Sequence, residues 1–366
     1  QEAREMSRKL RSSLACSLSL ACTRALSMST VVPTTIATAE QRFAVAIDGA
    51  ASPSALTSKE FLLSLPSGAY TTARTCSRGT RIFEWDTHVE RTAASVEAML
   101  NEADASPALL EGLARPERLR PRLEATVAAA KRQYLEAHGS EGELKLTLLV
   151  SWRGGGGECE EPLGEQQEQA AVRSVVGSVA CHVAPLPPLP APPVCVEVRG
   201  APRANALAKD SAWVAERAPL EALMAAATLP PGASMNELLL QTAEGELLEG
   251  SQTNFYALID GAVHTAGEGV LAGTVRRLLL EVCAREGIPV VLSPPTLASA
   301  VSWEGALISS TSRLLLPVDR LYVPAEGAPS GEADLRRSFE CGPASLAARL
   351  RELVGREVEA HSAAIL

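Results

Sequence analysis

A lone lysine, a glutamate ahead of a strand and a glycine-bearing turn ahead of a helix hold most of the chemistry this sequence offers. Lys209 is the only lysine between Lys145 and the C-terminus, in a half of the chain that otherwise takes its positive charge from arginine. Arginine keeps its proton at any useful pH. A desolvated lysine can lose it and then form a Schiff base with a carbonyl. By spacing alone, a surface lysine beside Asp210 is the better fit. Further along, Glu249-Gly250-Ser251-Gln252-Thr253-Asn254-Phe255-Tyr256 places a carboxylate and an amide just before an apolar strand. Asp260-Gly261 reads as a hairpin turn. After it, Leu271-Ala272-Gly273-Thr274-Val275-Arg276 opens into a helix. Free backbone N–H groups point outward at such a helix N-terminus and receive anions. An acid and an anion cradle thus flank one hairpin.

The elements that must position these groups are legible in the periodicity. Strands are expected at 43–47, 70–76 and 81–85. A helix capped by Asp86 or Thr87 follows, running to about Glu102, with His88, Arg91 and Ser95 on one face. Apolar residues at helical period predict a second helix over 116–138, its true start delayed by Pro121. Alternation predicts a strand over 143–152. The glycine- and glutamate-rich residues 154–169 read as a flexible hairpin tip, since no Lys-Ser/Thr pair follows the glycines. A returning strand is expected at 172–183. Residues 185–193 form a polyproline spacer and the domain boundary. Beyond it, strands are expected at 194–198, 237–241, 255–259, 290–292 and 306–309, and helices at 274–286, 295–301 and 343–353. Short hairpins outnumber β-α-β units. This predicts an α+β protein with mixed or antiparallel sheets and packed helices, in two domains: a smaller one at 42–184 and a larger one at 194–366.

Composition narrows the partners. The 366 residues are 46% hydrophobic and 21% charged with a net charge of −9, which is globular composition. No basic stripe interleaved with aromatics speaks for nucleic acid. No apolar run approaches a membrane span. The eight cysteines are scattered without a C-x-x-C pair, and the five histidines do not cluster. That pattern fits reduced intracellular thiols and no metal site. Residues 6–39 contain no acid but carry Arg8, Lys9, Arg11 and Arg24 among serine, threonine and alanine. This is the composition of an organelle transit peptide, for plastid (chloroplast) or mitochondrion. A secretory signal around 14–22, interrupted by serines, or an unstructured tail on a cytoplasmic protein are the alternatives.

The set Glu249…Asn254-Phe255-Tyr256, Thr265 and Leu271-x-Gly273-x-x-Arg276 resembles the signature of the class IV pyridoxal-phosphate-dependent aminotransferases. That family includes branched-chain and D-amino acid aminotransferases and aminodeoxychorismate lyases. Arg74–Ser95, with Phe83, His88 and Arg91, resembles its N-terminal strand-helix segment. Ser309-Ser310-Thr311 with Pro317-Val318 resembles its closing phosphate-side turn. The form Ala208-Lys209-Asp210-Ser211-x-Trp213 is similar to the plant and algal branched-chain-aminotransferase-like group. The resemblance spans residues 42–355. It implies the two-domain fold-type IV architecture, a homodimer and pyridoxal 5'-phosphate as cofactor. It also implies Lys209 as Schiff-base lysine and proton shuttle, Glu249 on the pyridine nitrogen and Leu271 against the ring face. Arg91, the amides of Gly273, Thr274 and Val275, and the Thr311 hydroxyl would hold the phosphate. Asn254 would steady the strand that carries Glu249. Arg74, Arg78 and Arg81 are candidates for a substrate carboxylate.

The implied reaction moves an amino group between an amino acid and a 2-oxo acid, of branched-chain or D-amino acid type. A β-elimination lyase on the same fold and a cofactor-binding protein without turnover are the rivals. Two positions depart from the family pattern: Val275 stands where a threonine meets the phosphate, and Val214 where a tyrosine meets the ring hydroxyl.

Overall fold

A computed structural model describes residues 42–100, 106–139, 142–152, 177–325 and 333–365. The predicted transit segment, the hairpin tip over 154–169 and the start of the strand over 172–183 lie outside these residues. The described residues pack as one unit built on two sheets.

The first half contributes β1 (Ala44–Ile47), β2 (Ala50–Ser52), α1 (Ser58–Ser64), β3 (Gly68–Cys76), β4 (Arg81–Phe83) and α2 (Trp85–Met99). It continues with α3 (Pro107–Leu113), α4 (Pro116–His138), β5 (Leu144–Ser151) and β6 (Ser178–Pro185). The second half contributes β7 (Val194–Val198), α5 (Ala212–Glu216), α6 (Ala218–Ala226), β8 (Ser234–Gln241), β9 (Leu247–Gly250), β10 (Asn254–Ile259) and β11 (Ala262–His264). After α7 (Thr274–Glu286) come β12 (Val290–Val291), β13 (Gly305–Ser310), β14 (Leu314–Pro317), β15 (Arg320–Pro324), β16 (Ala333–Ser338), α8 (Leu346–Glu357) and β17 (Ser362–Ala363).

The first sheet has the order β17-β4-β3-β5-β6-β1-β2, antiparallel throughout. The second runs β12-β11-β10-β9-β8-β7-β15-β16, with β13 paired to both β10 and β14. Parallel pairing occurs only at β7·β8, β7·β15 and β11·β12 among the described strands. The mixed, hairpin-rich α+β character expected from the short strands is therefore what forms. The last strand, β17, crosses back to pair with β4 of the first sheet.

Helix α4 shows how pattern becomes packing. Leu119, Leu123, Val127, Ala130 and Tyr134 recur at helical period and are all buried under the first sheet. Pro121 does not delay the start: Pro116 takes the first helical position, and Pro121 sits inside the helix it opens. Helix α2 also begins earlier than predicted. Its N-cap is Glu84, held left-handed at φ 53°, and neither Asp86 nor Thr87 caps it. Trp85 is buried and draws the first turn back into the core. The Glu84 side chain is engaged elsewhere, by Thr87, Arg277 and His361. Helix α8 starts at Leu346 rather than 343 because the Ser345 hydroxyl accepts from the Ala348 N–H. Residues 297–302 form a 3₁₀ turn instead of an α-helix. Helices α1 and α3 have no counterpart in the sequence reading. Each is a single short segment whose start rests on one cap, Thr57 or Ser106.

Candidate active site

The two sheets meet along one cavity of about 300 Å³, lined by Lys209, Glu249, Arg91, Gly273, Thr274 and Thr311 among others. Lys209 arrives there through a backbone graft onto the first sheet. The Tyr70 N–H donates to the Lys209 carbonyl at 2.8 Å, and the Ser211 N–H to the Gly68 carbonyl at 2.9 Å. The Gly68 N–H donates to Ser211 Oγ at 3.0 Å, and the Lys209 N–H to Ser95 Oγ at 3.1 Å. Gly68 has to be glycine, because a Cβ there would sit 2.1 Å from the Val150 carbonyl oxygen. The Lys209 ammonium rests over the Tyr70 ring, 4.6 Å from its centroid. Burial pushes its pKa down to about 8; the Tyr70 phenol works against that shift, while Arg91, Arg203 and Arg217 add to it.

Glu249 sits on β9, whose register sets it opposite Asn254 of β10. Its Oε1 accepts from Arg203 Nε at 2.8 Å and Nη2 at 2.7 Å, and its Oε2 accepts from the Leu271 N–H at 3.1 Å. Burial raises the Glu249 pKa, and the Arg203 guanidinium opposes the rise. Arg203 in turn lies over the Trp213 ring at 5.7 Å. Asn254 donates from Nδ2 to the Leu271 carbonyl at 2.8 Å. It therefore steadies the loop that delivers Leu271 and Gly273, and not merely the strand of Glu249.

The third group could receive an anion. Arg91 is brought in by α2. Its Nη2 donates to Thr71 Oγ1 at 2.7 Å and lies 3.2 Å from His88 Nδ1; its Nη1 meets the Ala272 carbonyl at 3.4 Å. Its Nε is buried without a partner among the described residues. No carboxylate pairs with it there, and burial pushes its pKa down to about 10 against the opposing Tyr70. A cation held this way is costly unless a ligand supplies the negative charge. His88 is kept neutral, first by burial and then by Arg91 and Lys209. Across from Arg91, α7 opens at Gly273 with no side-chain cap, leaving its first amides to a ligand. A Cβ at Gly273 would lie 2.0 Å from Asn254 Oδ1. Thr274 Oγ1 and Thr311 Oγ1 are 2.9 Å apart. Val275 is buried in the apolar cluster beneath α7 with Leu278 and Leu279. At this turn the hydroxyl belongs to Thr274.

An amine that sheds its proton near neutrality, a buried carboxylate and an anion receptor thus face one cavity. A sequence model of the class IV aminotransferases matches residues 68–321. The chain belongs to that family. No curated sequence matches it. Among solved structures, the branched-chain aminotransferase of the archaeon Thermoproteus uzoniensis, determined with norvaline, superposes with a TM-score of 0.59 at 17% identity. That match covers 88% of this chain and 99% of the other. A branched-chain amino acid aminotransferase of T.th., complexed with N-(5'-phosphopyridoxyl)-L-glutamate, gives a TM-score of 0.57 at 18% identity, covering 88% and 98%. A hypothetical aminotransferase from Mycobacterium tuberculosis in its PLP-bound form gives a TM-score of 0.57 at 18% identity, covering 87% and 99%. At these identities the neighbours establish the class IV aminotransferase fold.

Of the candidate arginines, Arg74 reaches toward the cavity rim, donating from Nη1 to the Ser312 carbonyl at 3.4 Å. Arg81 is turned away and holds the Ser362 carbonyl of the C-terminal strand. Arg78 is exposed. Among the cavity residues to which the sequence assigns no role are Tyr70, Arg203 and Arg217. The signal for Tyr70 was present, since Gly68 inside a strand marks a close backbone approach. No local pattern brings Arg203 or Arg217 to the cavity, because the cavity residues they meet, Glu249 and Tyr70, lie on other elements.

Proposed function

We propose that this class IV aminotransferase binds pyridoxal 5'-phosphate and moves an amino group between an amino acid and a 2-oxo acid, of branched-chain or D-amino acid type. One observation carries the reading: a half-buried guanidinium with no carboxylate partner among the described residues shares a cavity with a reactive lysine and a buried acid. The residues fit the group. Arg91, the amides that open α7 and the paired hydroxyls of Thr274 and Thr311 would hold its phosphate. Glu249 would hold the proton of its ring nitrogen, and Leu271 would lie against its ring. When bound, pyridoxal phosphate supplies a carbonyl that condenses with an amine and a ring that takes up the electron pair left at Cα.

The chain's own part is positional. Lys209, about half neutral near pH 8, presents an amine that can attack a carbonyl and later carry a proton to and from Cα. The Glu249 carboxylate is steered by Arg203 and the Leu271 N–H, so one geometry is held for the ring's proton.

The test is to reconstitute the full chain with pyridoxal phosphate and follow its visible absorbance over a panel of L- and D-amino acids. Bleaching by an amino acid, reversed by a 2-oxo acid, is the expected result. Pyruvate release from aminodeoxychorismate without any 2-oxo acid would instead make the chain a lyase. Bound cofactor that no amino acid bleaches would make it a non-catalytic binder. No visible band at all would overturn the reading. We also propose a homodimer, on family likeness, and import into plastid or mitochondrion, on the acid-free composition of residues 6–39. Light scattering and a tagged full-length chain, respectively, check these.

A further inference from the structure

One cation of the cavity wall has no task in the chemistry proposed above. Arg203 is matched by Glu249, Arg217 and Lys59 by Glu221, and Arg313 by Glu237. Arg91 and Lys209 are committed to the phosphate and the carbonyl of the cofactor. Lys145 on β5 remains. It lines the cavity, half-buried, with no hydrogen bond or ion pair to any described residue. Strand register explains its placement. Leu144, Leu146 and Leu148 turn into the core of the first half, so Lys145, Thr147 and Leu149 take the opposite face. On that face Thr147 stands opposite Thr72 of β3, and Lys145 opposite Arg74. Thr147 is 2% exposed and Thr72 is half-buried. Both line the cavity, and neither hydroxyl has a partner among the described residues.

No described neighbour answers the Lys145 charge. Arg74 repeats its sign across the strand pair, which is unfavourable by itself. Glu143, two residues earlier, accepts from Thr75 Oγ1 and from the Arg78 and Gly79 N–H groups, and its charge supports Arg74. On β6, His182 faces Thr147 and is held below its ordinary pKa by burial and also by Lys145. Burial lowers the pKa of Lys145 itself, and no described carboxylate opposes that shift. An ammonium and two unpartnered hydroxyls on one wall are costly unless a ligand meets them.

We propose that Lys145 is a specificity-determining residue: with Thr72 and Thr147 it receives a carboxylate at the far end of the substrate's side chain, so that in both half-reactions the enzyme prefers dicarboxylic over branched-chain substrates. This rests on the aminotransferase reading of the cavity and narrows it. Position along β3 sets which end of the substrate is met. Lys209 Nζ lies over the Tyr70 ring, and Thr72 follows Tyr70 on the same face, about 7 Å along the strand. A group that meets Thr72, Thr147 and Lys145 is therefore several bonds from the carbon at which Lys209 acts. A carboxylate there accepts from the ammonium and from both hydroxyls. An aliphatic branch would leave all three without partners, which is a strong ground for its rejection.

The test compares acids with their isosteric amides. The holoenzyme should use glutamate or aspartate, of whichever hand it accepts, with a kcat/KM at least about tenfold above glutamine or asparagine, and further above leucine or valine. Lys145→Gln should bring the acid-to-amide ratio close to unity, mainly by raising KM for the acid, while Lys145→Arg should keep the preference. A lysine with a merely structural role would move neither. Urea unfolding checks the fold: removing an unpaired, half-buried charge should leave the midpoint unchanged or raise it. Binding supplies a readout that needs no turnover. By calorimetry on the full chain loaded with pyridoxal phosphate, glutarate should bind roughly tenfold tighter than pentanoate, and Lys145→Gln should remove the difference. The proposal is overturned if wild type treats acid and amide alike, or if Lys145→Gln leaves the acid-to-amide ratio and the glutarate preference in place. A visible cofactor band bleached by amino acids without that preference would sink the proposal and leave the aminotransferase reading standing. No visible band at all would sink both.

Discussion

Two arginines, one nearly buried and one half-buried, line the same cavity and are treated in opposite ways. Arg203 is neutralised within the chain, its fork on Glu249 and its face on Trp213. Arg91 is given a hydroxyl, a neutral imidazole and a distant carbonyl, with no carboxylate among the described residues. The first arrangement is finished without a ligand and fixes a carboxylate's geometry. The second is complete only when something anionic arrives. A paired cation is structural scaffolding for an acid; one with no carboxylate among the described residues, opposite an uncapped helix, is suited to receive an anion.

Breaking the finished pair should have the largest effect. Arg203→Leu leaves Glu249 buried without a cationic partner, held only by the Leu271 N–H, and should cost about 3–5 kcal/mol of stability, read as a lower urea midpoint with or without cofactor. Arg203→Leu combined with Glu249→Leu should recover most of that loss while leaving the chain inactive. Arg91→Gln tests the other half. It should weaken pyridoxal phosphate binding by roughly tenfold to a hundredfold, with no loss of stability in the cofactor-free chain. A drop in that chain's urea midpoint matching the Arg203 variant would erase the distinction drawn between the two arginines.

Smaller changes sharpen the receptor. Gly273→Ala pushes a methyl group to 2.0 Å from Asn254 Oδ1, so the loop must shift. Cofactor affinity should fall by about tenfold, measured by equilibrium fluorescence. Thr274→Val removes one hydroxyl of the Thr274–Thr311 pair and should weaken binding by roughly fivefold. Val275→Thr should add nothing to affinity, because that side chain points into the apolar cluster under α7.

The contrast between the arginines also marks where sequence reading stops. Helix α7 was legible to its ends, since Gly273 and Gly287 bracket an amphipathic run that no other element needs to explain. Strand β10 was nearly so, with the Asp260-Gly261 turn closing it at φ 50° and 70°. The shared face of His88, Arg91 and Ser95 was readable from spacing alone, and all three side chains do reach the lysine segment or its neighbours. What one sequence did not disclose is pairing across distant segments. Arg203 is 46 residues from Glu249, and Arg217 is 147 residues from Tyr70. Their roles come from sheet register and not from local pattern. The cap of α2 failed for a related reason: a buried Trp85 and the distant Arg277 and His361 outweigh the local preference for Asp86 or Thr87.

The central claim is that Lys209, Glu249 and the Arg91 receptor address one cofactor. It is tested most directly by loading the full chain with pyridoxal phosphate, reducing with borohydride and mapping the labelled peptide. The expected result is a single phosphopyridoxyl group on Lys209, lost in Lys209→Ala and diminished in Arg91→Gln. Label on Lys145 or Lys59, or label on Lys209 indifferent to Arg91, would contradict it.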